Sequence, residues 1–146
     1  MIRIGVIGAG NRGKDTYAKY ILNCTDKAKI VAVAEPNSLK RKEMIETHNL
    51  KSEFVFNTWE DFLAKDKFCD AVFITTNDDM HFEPVKLAIK KGYDILLEKP
   101  MSNKVDECIE IVKMAEEYGT KIMVCHVLRY TPFFSKLKEL IESGII

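Results

Sequence analysis

Six times along this chain a short, strongly apolar run gives way to a turn and then to a segment with helical spacing. Few folds accommodate that alternation. Strands that alternate with helices build parallel sheets, because each crossover helix carries the chain back to the edge where the last strand began. The apolar runs are IRIGVIG, KIVAVAE, EFVF, DAVFITT, DILLE and KIMVCHVL. The helical segments that follow them are KDTYAKYILNC, SLKRKEMIETHN, TWEDFLAK, MHFEPVKLAIKKG, NKVDECIEIVKMAEEYG and PFFSKLKELIESG. The strands read as continuous apolar runs, as expected when helices cover both faces of a sheet. Local signals agree. Ser38 is placed to cap the second helix, and Thr58 with Asp61 forms a capping-box-like pattern at the third. Pro84 and Pro132 fall in first turns, while Gly92 and Gly119 fall at helix ends. The expected fold is therefore α/β: one doubly wound parallel sheet over residues 1–146. The right-handed crossover rule predicts the strand order 3-2-1-4-5-6.

Composition narrows the function. Lys and Arg total 22 and Asp and Glu total 22, so the formal net charge is zero. A nucleic-acid binder usually carries a basic excess, so no nucleic-acid partner is expected. Cys24, Cys69, Cys108 and Cys125 form no C-x-x-C pair and no zinc-ligand spacing, so no metal site is expected. Free thiols suit a reducing cytoplasm. MIRIGVIGAG breaks its apolar run with glycines, unlike a secretory signal. No run approaches the roughly 18 apolar residues of a membrane helix.

The chemistry concentrates at strand ends. Gly8-Ala9-Gly10-Asn11-Arg12-Gly13 reads G-x-G-x-x-G, directly after the first strand and at the start of a helix. In that context Gly8 permits the turn, Gly10 lets backbone approach a pyrophosphate, and Gly13 allows close helix–strand packing. The helix N-terminus adds positive potential for phosphate. Glu35 ends the second strand about 20 residues further on, where a carboxylate accepts hydrogen bonds from the adenosine ribose. It would also repel a 2′-phosphate, which favours NAD; Arg12, Lys40 and Arg41 leave NADP open, although Lys40 and Arg41 read best as a solvated helix face. His81 lies just past the fourth strand. Glu98, Lys99 and Pro100 end the fifth strand, DILL, at a carboxyl end where such sheets bind ligands. An ammonium there can polarise or protonate a substrate oxygen, so Lys99 is the catalytic candidate, with Glu98 to orient it and Pro100 to restrict its backbone. The aromatic residues Tyr17, Tyr20, Phe62, Phe68, Phe133 and Phe134 sit at helical spacings that core packing explains.

Taken together, IRIGVIGAGNRG, AVAE, DAVFITTNDDMHFE, GYDILLEKPMS and RYTPFFSKLKELIESG resemble the N-terminal Rossmann domain of the Gfo/Idh/MocA oxidoreductases, in order and over the whole chain. The glycine pattern is shared with all Rossmann enzymes, whereas E-K-P preceded by T-x-x-x-x-H is far more specific. The resemblance implies hydride transfer between NAD(P) and a sugar, inositol or related polyol. It implies a second α+β domain that binds substrate and forms homo-oligomers, beginning where this chain ends. By position, Gly8, Gly10, Asn11, Arg12 and Gly13 would hold the pyrophosphate and Glu35 the ribose. Thr76 and His81 would lie along the nicotinamide half. Glu98 and Lys99 would face nicotinamide and substrate, with Arg129 as the basic residue after the sixth strand. Where many members have T-P-N-x-x-H, this chain has Thr76-Asn77-Asp78-Asp79-Met80-His81, and Val127 or Leu128 replaces the Asn often found before the late Arg. Two other functions share these features: a non-catalytic dinucleotide-binding redox sensor, and an NAD-dependent glycosidase of related fold.

Overall fold

The computed structural model describes all 146 residues. Strands β1 (Ile2–Ile7), β2 (Ala28–Ala34), β3 (Val55–Phe56), β4 (Ala71–Ile74), β5 (Asp94–Leu97) and β6 (Ile122–Val124) form one sheet in the order β3-β2-β1-β4-β5-β6. All neighbouring strands are parallel. Both the topology and the order are those expected from the alternation.

Side chains on a strand alternate between faces, and the core divides accordingly. Ile4, Val6, Val33 and Phe73 join a cluster with Ala18 and Met44 on one face. Ile7, Ala34, Val72, Ile74, Ile95 and Leu97 join the cluster on the other, beneath Phe62, Val85, Ile89 and Ile111. Each fully buried aliphatic side chain contributes about 1.5–3 kcal/mol relative to exposure, so the two clusters together hold the sheet between its helices.

The helices are α1, with π-helical turns over Asn11–Ala18 continuing as α-helix over Lys19–Ile21, then α2 (Ser38–His48), α3 (Trp59–Ala64), α4 (Phe82–Lys90), α5 (Val105–Tyr118) and α6 (Pro132–Glu142). Three local expectations change. The cap of α2 is Asn37, whose side chain accepts from the N–H groups of Leu39 and Lys40. Ser38 is already helical; both residue types cap well, and the backbone turns one residue earlier. EFVF yields only Val55–Phe56 as strand, because Ser52–Phe54 coils into a 3₁₀ turn. Tyr20, Phe133 and Phe134 are not core: all three are exposed, the two phenylalanines packed edge-on against each other with ring centroids 5.2 Å apart. No residue of α6 is buried. On its apolar side Leu137 and Leu140 are half-buried and Phe133, Phe134 and Ile141 exposed.

The chain winds from β1 outward to β3, then crosses to β4 on the other side of β1. That reversal opens a crevice at the carboxyl ends of β1 and β4, the position at which doubly wound sheets bind ligands.

Candidate dinucleotide site

The floor of the crevice is the glycine turn, and its three glycines answer to different needs. Gly8 has φ +91°, and a Cβ there would lie 2.8 Å from the Thr75 carbonyl oxygen. Thr75 straps the same turn, its hydroxyl donating to the Gly8 carbonyl at 2.6 Å. At Gly13 a Cβ would lie 2.1 Å from the Gly8 carbonyl oxygen and 2.5 Å from the Thr75 hydroxyl. These two glycines are demanded by the chain's own packing. Gly10 is not. Its φ is −73°, which any residue adopts, and a Cβ built there meets nothing within 4 Å. The open space above Gly10 is a cradle that a side chain would fill. No side chain caps the start of α1, which leaves its first N–H groups for water or an anion.

Glu35 forms one wall. It is buried, its Oε2 accepting from the Ala9 N–H at 2.7 Å and its Oε1 from the Asn37 N–H at 2.9 Å. A carboxylate has about four acceptor positions, so two remain for ribose hydroxyls. Arg41 is not free on a solvated face, as expected, but folded back: its Nη1 donates to the carbonyls of Glu35 at 2.5 Å and Pro36 at 3.1 Å. Lys40 stays exposed and lines the cleft, which has a volume of about 480 Å³ and also contains Thr58, Trp59 and Thr76. The Thr76 hydroxyl donates to the Met80 carbonyl at 3.2 Å.

The E-K-P corner lies further along the same ends. Lys99 is exposed, with its nearest acid the Asp78 carboxylate at 3.9 Å. Half-exposed pairs of this kind contribute little, so the ammonium remains available to a ligand. Glu98 does not meet that ammonium. Its buried carboxylate accepts from the Lys99 backbone N–H at 2.9 Å and from the Tyr17 hydroxyl, and it lies 3.5 Å from Arg12 Nε. Glu98 therefore orients Lys99 through the main chain. Arg12 sits on α1 just past the glycine turn, and its reach to Glu98 joins the two halves of the site. Burial pushes the Tyr17 hydroxyl and the Cys125 thiol above their usual pKa ranges. The peptide bond between Lys99 and Pro100 is cis.

His81 lies at the strand ends but turned inward. Its ring is fully buried, with Nδ1 2.7 Å from the Pro100 carbonyl oxygen and Nε2 3.2 Å from that of Thr76. It touches the crevice only through these two carbonyls, tying the end of β4 to the E-K-P corner. At least one of these carbonyls accepts an N–H from the ring, and removing the ring leaves that buried acceptor short of a donor, at about 1–3 kcal/mol. His81→Leu is expected to lower the unfolding free energy by about 2–3 kcal/mol, read from urea titrations. A change below about 0.5 kcal/mol would mean that the ring bears no such tie. Arg129 lies in the 3₁₀ turn after β6, exposed, with no side-chain hydrogen bond or ion pair.

A second cavity of about 410 Å³ lies at the opposite, amino-terminal end of β1 and β2, where Arg3, Lys29, His48 and Lys51 surround Phe54 and Phe68. It shares no residue with the glycine turn.

Residues 2–126 match the family model described as the oxidoreductase family with an NAD-binding Rossmann fold, GFO_IDH_MocA. This chain belongs to the Gfo/Idh/MocA oxidoreductase family. The family is an NAD-binding one. Among curated relatives, inositol 2-dehydrogenase of Corynebacterium glutamicum strain R is 34% identical over 145 residues, covering 98% of this chain and 42% of that protein. The 2,7-anhydro-N-acetylneuraminate hydratase of Escherichia coli K12 is 30% identical over 147 residues, covering 100% of this chain and 37% of that protein. Among solved structures, the WlbA dehydrogenase from Bordetella pertussis, crystallised with NADH and UDP-GlcNAcA, superposes with a TM-score of 0.86 at 24% identity. That match covers 98% of this chain and 42% of WlbA. The chain thus spans well under half the length of the relatives it matches. No helix is long and apolar enough to cross a membrane.

Proposed function

We propose that this chain is the cofactor domain of an NAD-dependent oxidoreductase acting on a sugar, inositol or related polyol, with substrate held by a second domain outside these residues. The observation that carries this reading is the open cradle above Gly10, since a glycine whose φ and surroundings suit any residue is explained by a ligand lying on the backbone. Glycine turn, uncapped helix start, Glu35 and exposed Lys99 line up along the carboxyl ends of successive strands, which suits an extended dinucleotide. Bound there, NAD would supply the hydride acceptor or donor.

The chain's own residues divide the remaining work. Gly10, Asn11 and Gly13 would hold the pyrophosphate and Glu35 the ribose, and Thr76 would border the nicotinamide half. Lys99 would give a proton to the substrate oxygen when its carbon receives hydride, and take that proton back when its carbon gives hydride up. Arg12, drawn toward Glu98, is left half-exposed to reach a phosphate, and Arg129 stands ready for substrate at the outer end. A redox-neutral conversion of a sugar on the same groove is a second reading, favoured by the hydratase relative.

Cofactor choice follows from Glu35 and Arg41. The buried carboxylate opposes a 2′-phosphate, and Arg41 is tied to main-chain carbonyls. NADH is expected to bind at least about tenfold more tightly than NADPH by calorimetry, a difference of about 1.4 kcal/mol. Equal or tighter NADPH binding would reverse the assignment. The isolated chain is expected to bind NADH yet turn over no polyol, because substrate positioning contributes several kcal/mol to the barrier.

A further inference from the structure

We infer that Tyr17 is a positioning residue for Lys99: its hydroxyl fixes the buried Glu98 carboxylate, which in turn fixes the Lys99 backbone. The inference rests on the function proposed above for Lys99, and adds a residue on a different element. By spacing alone Tyr17 is a core aromatic of α1, and its ring does pack edge-on against Phe73 with centroids 6.0 Å apart. The hydroxyl does something else. It donates to Glu98 Oε1, on a residue 81 positions away in sequence. The other oxygen, Oε2, accepts from the Lys99 N–H at 2.9 Å.

The geometry makes this a relay of position with no slack. Glu98 is 5% exposed, so its carboxylate cannot turn to water for a replacement donor. Its partners are the Tyr17 hydroxyl, the Lys99 N–H and Arg12 Nε at 3.5 Å. Of these only Tyr17 and Arg12 come from outside the corner, and both stand on α1, the helix that starts at the glycine turn. Arg12 is the looser of the two, with a side chain 49% exposed. Tyr17 therefore sets the carboxylate plane. The helix that receives phosphate at its start thus holds, one to two turns later, the main chain that carries Lys99. Burial raises the cost of ionising Tyr17, which keeps its hydroxyl a donor.

The test is site-resolved amide exchange on Tyr17→Phe, which removes one oxygen and keeps the ring on Phe73. The Lys99 amide is expected to exchange at least about tenfold faster in the variant. Core amides of Val6, Val33 and Val72 are expected to be unchanged, and NADH affinity to drop no more than about threefold. A Lys99 amide unchanged by the substitution would reduce Tyr17 to a packing residue; parallel loosening of the core amides would make it a general stability residue. Either result overturns the inference. If Tyr17→Phe does not fold, the parent chain labelled at tyrosine ring carbons supplies the measurement. The Tyr17 hydroxyl proton, read from the ring-carbon signal in mixed light and heavy water, is then expected to exchange slowly because it is held on Glu98, and exchange as fast as that of an exposed tyrosine overturns the inference. Failure of the parent chain to bind NADH would instead count against the proposed function, and leaves the exchange result standing on its own.

Discussion

Gly10→Val is expected to give a chain that folds like the parent and no longer binds NADH, whereas Gly13→Ala is expected not to fold stably. The contrast between two glycines of one motif follows from what each would touch. A Cβ at Gly13 meets the Gly8 carbonyl oxygen at 2.1 Å and the Thr75 hydroxyl at 2.5 Å. The first is backbone of a turn held at φ +91°, with its own N–H bonded to the Ala34 carbonyl at 2.8 Å. It has nowhere to move without parting α1 from the sheet. Overpacking of this kind costs about 1–3 kcal/mol where side chains yield, and more where backbone must. A domain has only about 5–15 kcal/mol of stability to lose. At Gly10 the same substitution meets open space, so thermal unfolding should be unchanged within a degree or two. The branched side chain would occupy the cradle, and NADH affinity should fall by about 100-fold or more, about 2.7 kcal/mol. Calorimetry and thermal melts on both variants check the pair. Gly10→Val with parental NADH affinity would remove the reason for placing a dinucleotide there.

Lys99→Ala is expected to separate binding from chemistry. The side chain is exposed and its one acidic neighbour is 3.9 Å away, so its loss removes little packing and a weak ion pair. The main chain at that residue stays held by Glu98, because the N–H bond at 2.9 Å does not involve the side chain. The variant should melt with the parent and bind NADH within a few-fold. In the protein that joins this domain to its substrate domain, turnover should drop by about 100-fold or more, the usual scale for an acid–base group. Glu98→Ala should behave differently. It strips a buried carboxylate from Tyr17, Arg12 and the Lys99 N–H together, and both stability and turnover should fall. If Lys99→Ala retains full turnover, the proton or hydrogen bond at the substrate oxygen comes from elsewhere.

The strand order and the glycine turn were legible because they rest on local rules. Apolar runs alternating with helical spacing leave one parallel arrangement, and each glycine sits where strand passes to helix. The exposed place of Lys99 at the end of a buried strand was legible for the same reason. The partners of these residues were not, because they depend on contacts between distant segments. A tyrosine at helical spacing looks the same whether its hydroxyl ends in solvent or on Glu98, so Tyr17 read as core. His81 lies near the site in sequence and in space, yet its ring is turned inward to two carbonyls, which no spacing reveals. Phe133 and Phe134 carry the pattern of a buried face, yet both rings are exposed in this chain. Arg41 and Lys40 are adjacent on α2 and indistinguishable by sequence; only the fold turns one of them back onto the Glu35 carbonyl.

Placement of the dinucleotide across the carboxyl ends of β1, β2, β4 and β5 underlies every functional expectation for this chain. It is tested most directly by adding NADH to the isotopically labelled chain and following its amide resonances. Saturable shifts are expected at Gly8, Gly10, Asn11, Arg12, Gly13, Glu35, Thr76 and Lys99, with Arg3, Lys29, His48 and Lys51 unmoved at the opposite end. Absence of saturable binding, or shifts centred on that opposite basic cavity, would contradict the account.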